Sequence, residues 1–418
     1  MTATLDDLDV DGRAVGVRID VNSPLTDEGG LADDARLRAH AGTLSELADR
    51  GARVVVLAHQ GRPGGEEFAR LRPHAERFDD LLAAPVEYVD STMDAAARDR
   101  VGALEPGAAL VLENTRFYAE EYMSFEPADA AETHLVAGLA PALDAYVVDA
   151  FAAAHRSQPS LVGFAPRLPT VAGRVMEREI DVFGGVADAP RPRAFVLGGA
   201  KVEDSIDVAW SVLESGRADD LLVAGLVGNA FLAADGVDLG DGAAVVEERG
   251  WDQVERAGDL LDAHGDSVHL PVDVAVARDG ERHELGVDRL PPRRGEVPKD
   301  VGERTVSHYR AVLSRAATVV LNGPAGVVED ERFRAGTRGV FEAATRVGHS
   351  VVGGGDTAAA VRRLGVEGFD HVSTGGGAAL RALTGEPLPV VDAVREYGID
   401  PDATAATGSE ADGGERRD

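Results

Sequence analysis

The stretch VGVRIDVNSPLTDEGGLADDARLRAHAGTLSELADRGARVVVLAH (residues 15–59) decides the fold. It opens on the run VGVRIDV (15–21) and closes on RVVVLAH (53–59). Apolar runs of this length suit strands buried on both faces, as in parallel sheets. Between them, DDARLRAHAGTLSELADRG (33–51) puts Leu37, Ala41, Leu44, Leu47 and Ala48 on one helical face, and Gly51 supplies a stop. A strand, a helix and a second strand of this kind form the unit of a doubly wound sheet.

Outward from this unit the alternation continues. ALVLEN (109–114), AYVVDAF (145–151), RAFVLGG (193–199), DLLVAG (220–225), TVVLNG (318–323) and HSVVGGG (349–355) read as further strands. The predicted fold class is α/β, with two doubly wound parallel sheets. TVAGRVMEREIDVF (170–183) reads as a helix, and the Gly- and Pro-rich GGVADAPRPR (184–193) as a domain joint. ATAATGSEADGGERRD (403–418) is small, polar and low in complexity, and predicts a disordered tail.

Composition narrows the function. Of 418 residues, 73 are acidic and 42 basic, a net charge of −31. Only Lys201 and Lys299 are lysines, so 40 of the bases are Arg. Such a field repels nucleic acid and anionic membranes. At about 1 M salt the Debye length is about 3 Å and most self-repulsion is screened. An acid excess with almost no Lys therefore points to a salt-rich cytoplasm and to best activity at high salt. There is no Cys, hence no disulfide and no thiol chemistry. No run of 18 apolar residues occurs and the N-terminus is acidic, so neither a membrane span nor a signal peptide is expected.

Ligands of open α/β sheets bind at the carboxyl ends of the strands. In the first half those ends carry Arg18, Asp20 and Asn22, then His59 and Arg62, then Glu113, Asn114 and Arg116, then Asp149, His155 and Arg156; Arg36 opens the first helix. One Arg is more often a solvated surface residue paired to an acid. Four such strand ends in succession point to a basic pocket for a small phosphate- or carboxylate-bearing anion, which the planar guanidinium fork matches.

The second half relies on Gly. VLGGAKVEDS (196–205) sets Gly199 and Lys201 between strand and helix, although no Walker A loop is present. In VVGGGDTAAAV (351–361) a strand runs into Gly353, Gly354 and Gly355, followed by Asp356 and Thr357 at a helix start. Bare backbone N–H groups at a helix N-terminus make an anion site. Asp356 is either a metal carboxylate or a simple N-cap. LNGPAGVVE (321–329) and HVSTGGGAAL (371–380) repeat the glycine device. No strong general base stands beside the cradle, which suits phosphoryl transfer to an acceptor that is already anionic.

In this order the motifs resemble the phosphoglycerate kinase family, over nearly the whole chain: VRIDVNSP (17–24), AHQGRP (58–63), LENTRF (112–117), DAFAAAHR (149–156), GGAKVEDS (198–205), LPVD (270–273), NGPAGVVE (322–329), GGGDTAAA (353–360) and STGGGA (373–378). The resemblance, to an archaeal, halophile type, implies two Rossmann-like domains joined by a hinge. It also implies Mg²⁺ with ADP or ATP, 3-phosphoglycerate or 1,3-bisphosphoglycerate as the other ligand, and a cytoplasmic monomer. Residues 1–169 would bind phosphoglycerate through Asp20, Asn22, Arg36, His59, Arg62, Arg116 and Arg156. Residues 170–192 would link the domains. Residues 193–386 would bind nucleotide through Gly199, Lys201, Asn322, Glu329, Gly353, Gly354, Gly355, Asp356 and Thr357, with Glu329 on the ribose and Asp356 on the metal. Arg36 and Lys201 would be catalytic, Lys201 on the phosphoryl group in flight, and residues 387–402 would return to the first domain.

Four positions depart from the common pattern: Ser205 for a second Lys, Leu321 for Trp, Gln60 for Leu, and DVGERT (300–305) for a DIGPKT-like stretch. Two other classes are weaker. A dehydrogenase would carry G-x-G-x-x-G after an early strand, where this chain has Arg and His. A catalytically silent nucleotide-binding protein on the same fold would be expected to have lost Lys201, Asp356 or Arg36.

Overall fold

The computed structural model describes residues 2–248, 252–373 and 375–399. The tail predicted at 403–418 and Thr374 of the STGGGA motif lie outside the described residues. Two compact units divide the chain: Met1–Asp181 with Pro387–Asp418, and Val182–Glu386.

The first unit is a six-stranded parallel sheet of β1 (Ala14–Arg18), β2 (Arg53–Leu57), β3 (Val86–Tyr88), β4 (Ala109–Val111), β5 (Ala145–Val148) and β6 (Thr170–Ala172). The spatial order is β3-β4-β2-β1-β5-β6. The helix Ala35–Asp49 lies between β1 and β2 as its spacing predicts, with Leu37, Leu44 and Leu47 fully buried. From β1 the chain goes to β2 on one side, and β5 flanks β1 on the other. The carboxyl ends of β1 and β5 therefore border a crevice, and the loops carrying Asp20 and Asp149 meet there.

One predicted element is corrected. Thr170–Ala172 is an edge strand paired with β5, and the helix starts only at Arg174 and runs to Gly185. Long-range bonds decide it: Tyr146 donates to Pro169 O (2.9 Å) and Ala172 to Ala3 O (2.8 Å). Gly173 makes the turn hard against Asp149, where any Cβ would overlap the carboxylate. The boundary between the units falls inside this helix, at Asp181/Val182; the second boundary is Glu386/Pro387. The helix Pro389–Tyr397 packs on β6, with Val390 N–H on Ala154 O (3.3 Å).

In the second unit, β7 (Arg193–Leu197), β8 (Asp220–Val223), β9 (Val268–His269), β13 (Thr318–Asn322), β14 (His349–Gly353) and β15 (His371–Val372) form a parallel sheet in the order β15-β14-β13-β7-β8-β9. Its switch point lies between β7 and β13, where the glycine loops at 198–199 and 323 emerge. A third sheet, antiparallel, was not predicted: β10 (Asp273–Arg278) pairs with β11 (Glu281–Gly286) and β12 (Asp300–Val301). β11 is polar and half exposed, so it has no apolar run to announce it. Among the described residues no helix is long and apolar enough to cross a membrane.

Candidate active site

In the first unit the guanidiniums converge. Arg36 pairs with Asp20. Arg18, fully buried, donates its Nε–H to Ser160 Oγ (2.8 Å), and Ser160 passes a hydrogen bond to Glu121 (2.7 Å). Arg36 thus has a carboxylate partner, and Arg18 reaches one only through Ser160. Arg62, Arg116 and Arg156 have no carboxylate within ion-pair reach among the described residues. Burial, then the charges of Arg156 and Arg18, lowers Arg116 to about 10. Arg156 is lowered by burial and by Arg62. The Nε of Arg116 is buried and has no hydrogen-bond partner among the described residues. Like charges gathered at the cost of repulsion, with a donor unused, mark a site for an anion.

His59 sits among them, and burial, followed by the charge of Arg18, drives its pKa well down. It is therefore neutral. Arg18 donates to its Nδ1 (2.8 Å), so the ring proton resides on Nε2. Asn22 and Arg116 also shape the pocket. Gly61 N–H donates to Asn22 Oδ1 and Arg116 donates to Gly61 O, both at 2.7 Å. Arg62 is exposed on the loop between them.

Sequence reasoning missed the supports. His40 accepts the Asp20 N–H at Nε2 (3.2 Å) and holds Asp149 through Nδ1 (2.8 Å). Asp149 in turn accepts from the N–H groups of Val175 (2.8 Å) and Met176 (3.2 Å). The signal was present, since His40 follows Arg36 by one helical turn, yet a His on a buried face is usually packing.

In the second unit the glycine loops knit together. Gly198 donates to Asn322 O and Gly199 to Pro324 O, both at 2.8 Å. A Cβ on Gly323 would overlap the Gly198 backbone. Gly354 has φ +88° as N-cap of the helix Gly355–Leu364, and a Cβ there would meet Asn322 Oδ1 at 2.7 Å. Gly199, Lys201, Asn322, Glu329, Gly354, Gly355, Asp356 and Thr357 all line one cavity of about 580 Å³; Gly353 does not. The side chain of Thr357 is a brace, since its Oγ accepts from Gly323 N–H at 2.7 Å. Lys201 Nζ lies 3.0 Å from Asp356, both exposed. Such a pair is worth about 0–1 kcal/mol and opens easily for ligand. Glu329 pairs with Arg363 at 3.2 Å. Both lysines of the chain border this cavity, and Lys299, which sequence reasoning left unassigned, carries its ammonium 5.7 Å from the Phe333 ring centroid. Val274, Val297, Pro298 and Val301 add apolar lining of the kind a nucleobase would need.

The family model for phosphoglycerate kinase matches residues 5–386. The chain belongs to the phosphoglycerate kinase family. Phosphoglycerate kinase of Halobacterium salinarum is 63% identical over 394 residues, 94% of this chain and 99% of that one. The enzyme of Methanothermobacter thermautotrophicus is 46% identical over 399 residues, 94% and 96% of the two chains. The crystal structure of phosphoglycerate kinase from Pyrococcus horikoshii superposes with TM-score 0.89 at 40% identity, covering 94% of this chain and 98% of that one. That from Coxiella burnetii gives 0.79 at 30%, covering 96% and 100%. The protein is thus a phosphotransferase with a carboxyl acceptor. It moves a phosphoryl group reversibly between 1,3-bisphosphoglycerate and ADP, giving 3-phosphoglycerate and ATP.

Among the departures from the common family pattern, Ser205 is buried at the cavity wall with its Oγ unpartnered among the described residues. Asp273 and Asp300 anchor the divergent 300–305 stretch. Asp273 accepts from Thr305 N–H (2.8 Å) and Asp300 from Arg282 (2.6 Å).

Two buried histidines contribute to the loss of stability in acid. Burial lowers His74 to about 4, against a slight opposing pull from the Val21 backbone, and His59 is also depressed. An unfolded imidazole titrates near 6.5. Below that pH the unfolded chain binds protons that the fold refuses, so stability falls as pH falls. Asp300, raised to about 6 by burial, acts oppositely between about 6 and 3.8. A His74→Gln comparison isolates the imidazole. Between pH 7 and 5 the parent protein should lose about 2 kcal/mol more than the variant in chemical denaturation. Equal losses would mean that His74 titrates normally.

Proposed function

We propose that the cationic pocket of the first unit binds the phosphoglycerate, and that the glycine cavity of the second binds the nucleotide with Mg²⁺. The observation that carries this is the charge balance. Arg62, Arg116 and Arg156 lack carboxylate partners among the described residues, and 3-phosphoglycerate brings a carboxylate and a phosphate, about −3 in all. In this reading the forks of the three take up those oxygens, and neutral His59 donates from Nε2. Arg36, held by Asp20, orients at the reacting carboxylate, and Asn22 keeps the Gly61 turn in place.

Lys201 neutralises the phosphoryl group in transfer as a compact point charge. No side chain need remove a proton, because the accepting carboxylate is already an anion. The N–H groups at Gly354 and Gly355 face the phosphates. Among the described residues no three metal-ligating side chains cluster. One carboxylate, Asp356, beside a phosphate cradle fits an ion that keeps most of its water and arrives with the nucleotide. That ion would neutralise phosphate charge and hold the chain in line. Asn322 and Glu329 complete the site, with Glu329 on the ribose. Sites built within single units support a monomer, and the acidic composition supports a salt-rich cytoplasm.

The test is a crossed pair of variants. Asp356→Ala should raise the KM for Mg-nucleotide at least 10-fold, with metal-free nucleotide binding and the KM for 3-phosphoglycerate changed less than 2-fold. Arg62→Ala should do the reverse. Matching losses for both ligands in either variant would contradict two separate sites.

A further inference from the structure

We propose that Gln60 is a positioning residue of the triose site, an inference that rests on the assignment of that site to the first unit. Its amide is fully buried and uses all its hydrogen-bonding capacity. Oε1 accepts from Ser23 N–H (3.0 Å) and from His74 Nε2 (3.1 Å). Nε2 donates to Ser23 O (2.8 Å) and Glu67 O (3.2 Å). The partners fix the orientation of the amide, since two carbonyls must face its NH₂ and one N–H must face its oxygen.

The two bonds to Ser23 grip that residue's main chain at both polar groups, as a strand neighbour would. Ser23 directly follows Asn22, and Gln60 lies two residues before Arg62. The side chain therefore sets the spacing between the loop after β1 and the loop after β2. A parallel link runs from Gly61 N–H to Asn22. From below, Asn114 Nδ2 holds Gln60 O (2.8 Å). A leucine fills similar volume but leaves Ser23 N–H and C=O without this partner. The loops that carry Asn22 and Arg62 would then lose their register, while nothing in the second unit changes. His74 is the support that makes an amide tenable here, because it occupies the second lone pair of Oε1.

The experiment compares Gln60→Leu with the double variant Gln60→Leu/His74→Leu, which removes the orphaned imidazole. Both are assayed in high salt for KM and kcat, with direct calorimetric titration of 3-phosphoglycerate and a melting temperature. Both variants should raise the KM and Kd for 3-phosphoglycerate at least 10-fold with nucleotide KM changed less than 2-fold. The double variant should recover melting temperature without recovering triose affinity. Triose KM unchanged in Gln60→Leu, equal losses for both ligands, or joint recovery of stability and affinity in the double variant would each overturn the proposal. Should the single variant not fold, the double variant carries the same comparison. Arg62→Ala, run in parallel, reports on the site itself. If it leaves triose KM unchanged, the site assignment fails. If it raises KM while both Gln60 variants do not, the positioning role alone fails.

Discussion

Replacing Lys201 by alanine is expected to lower kcat by about 10²–10³, the usual cost of removing a preorganised donor aimed at charge developing in the transition state. KM for either ligand should move far less if, as proposed, the ammonium acts mainly while the phosphoryl group is between partners. The fold should be unaffected. Lys201 is exposed, and its ion pair to Asp356 lies at the surface. Lys201→Arg should not restore full turnover. A planar fork with its charge spread over three nitrogens cannot place one compact charge at the same point. In a chain with 40 arginines, the retention of Lys here is itself a sign of that requirement. Single-turnover rates near normal in Lys201→Ala would show the residue to be structural.

Removing Arg62 should have the second largest effect, a rise of about 10- to 100-fold in the KM for 3-phosphoglycerate, the worth of one charge-assisted hydrogen bond or two. The Arg62 side chain is exposed and makes no hydrogen bond or ion pair among the described residues, so truncating it removes no contact that holds the fold. Its charge instead pushes on Arg116 and Arg156. Arg62→Ala should therefore leave the melting temperature unchanged or slightly raised, most visibly at low salt where repulsion is least screened. Lower affinity with no loss of stability is what a residue kept for a ligand predicts. A melting temperature that falls together with affinity would mean that Arg62 supports the fold.

What the sequence by itself determined was whatever depends on neighbours along the chain. Buried strands showed as apolar runs, the helix 35–49 as a stripe at helical spacing, and the cradles as glycines between strand and helix. Each is a local demand on backbone or burial, so each leaves a local mark. The ordered motifs were enough for the family.

Tertiary structure decided everything that joins distant segments. The strand Thr170–Ala172 exists through its pairing with β5, and three residues are too few to carry a period. Sheet order brings Arg18, Arg62, Arg116 and Arg156 together, and only then can their mutual repulsion appear. Whether an Arg is matched, as Arg18 is by Glu121 through Ser160, or left for a ligand, depends on partners up to 142 residues away. The same holds for Lys201 and Asp356, and for the amide of Gln60, which in sequence is merely a polar residue beside a glycine. Charge balance and hydrogen-bond satisfaction are properties of a site in three dimensions, and spacing along the chain does not contain them.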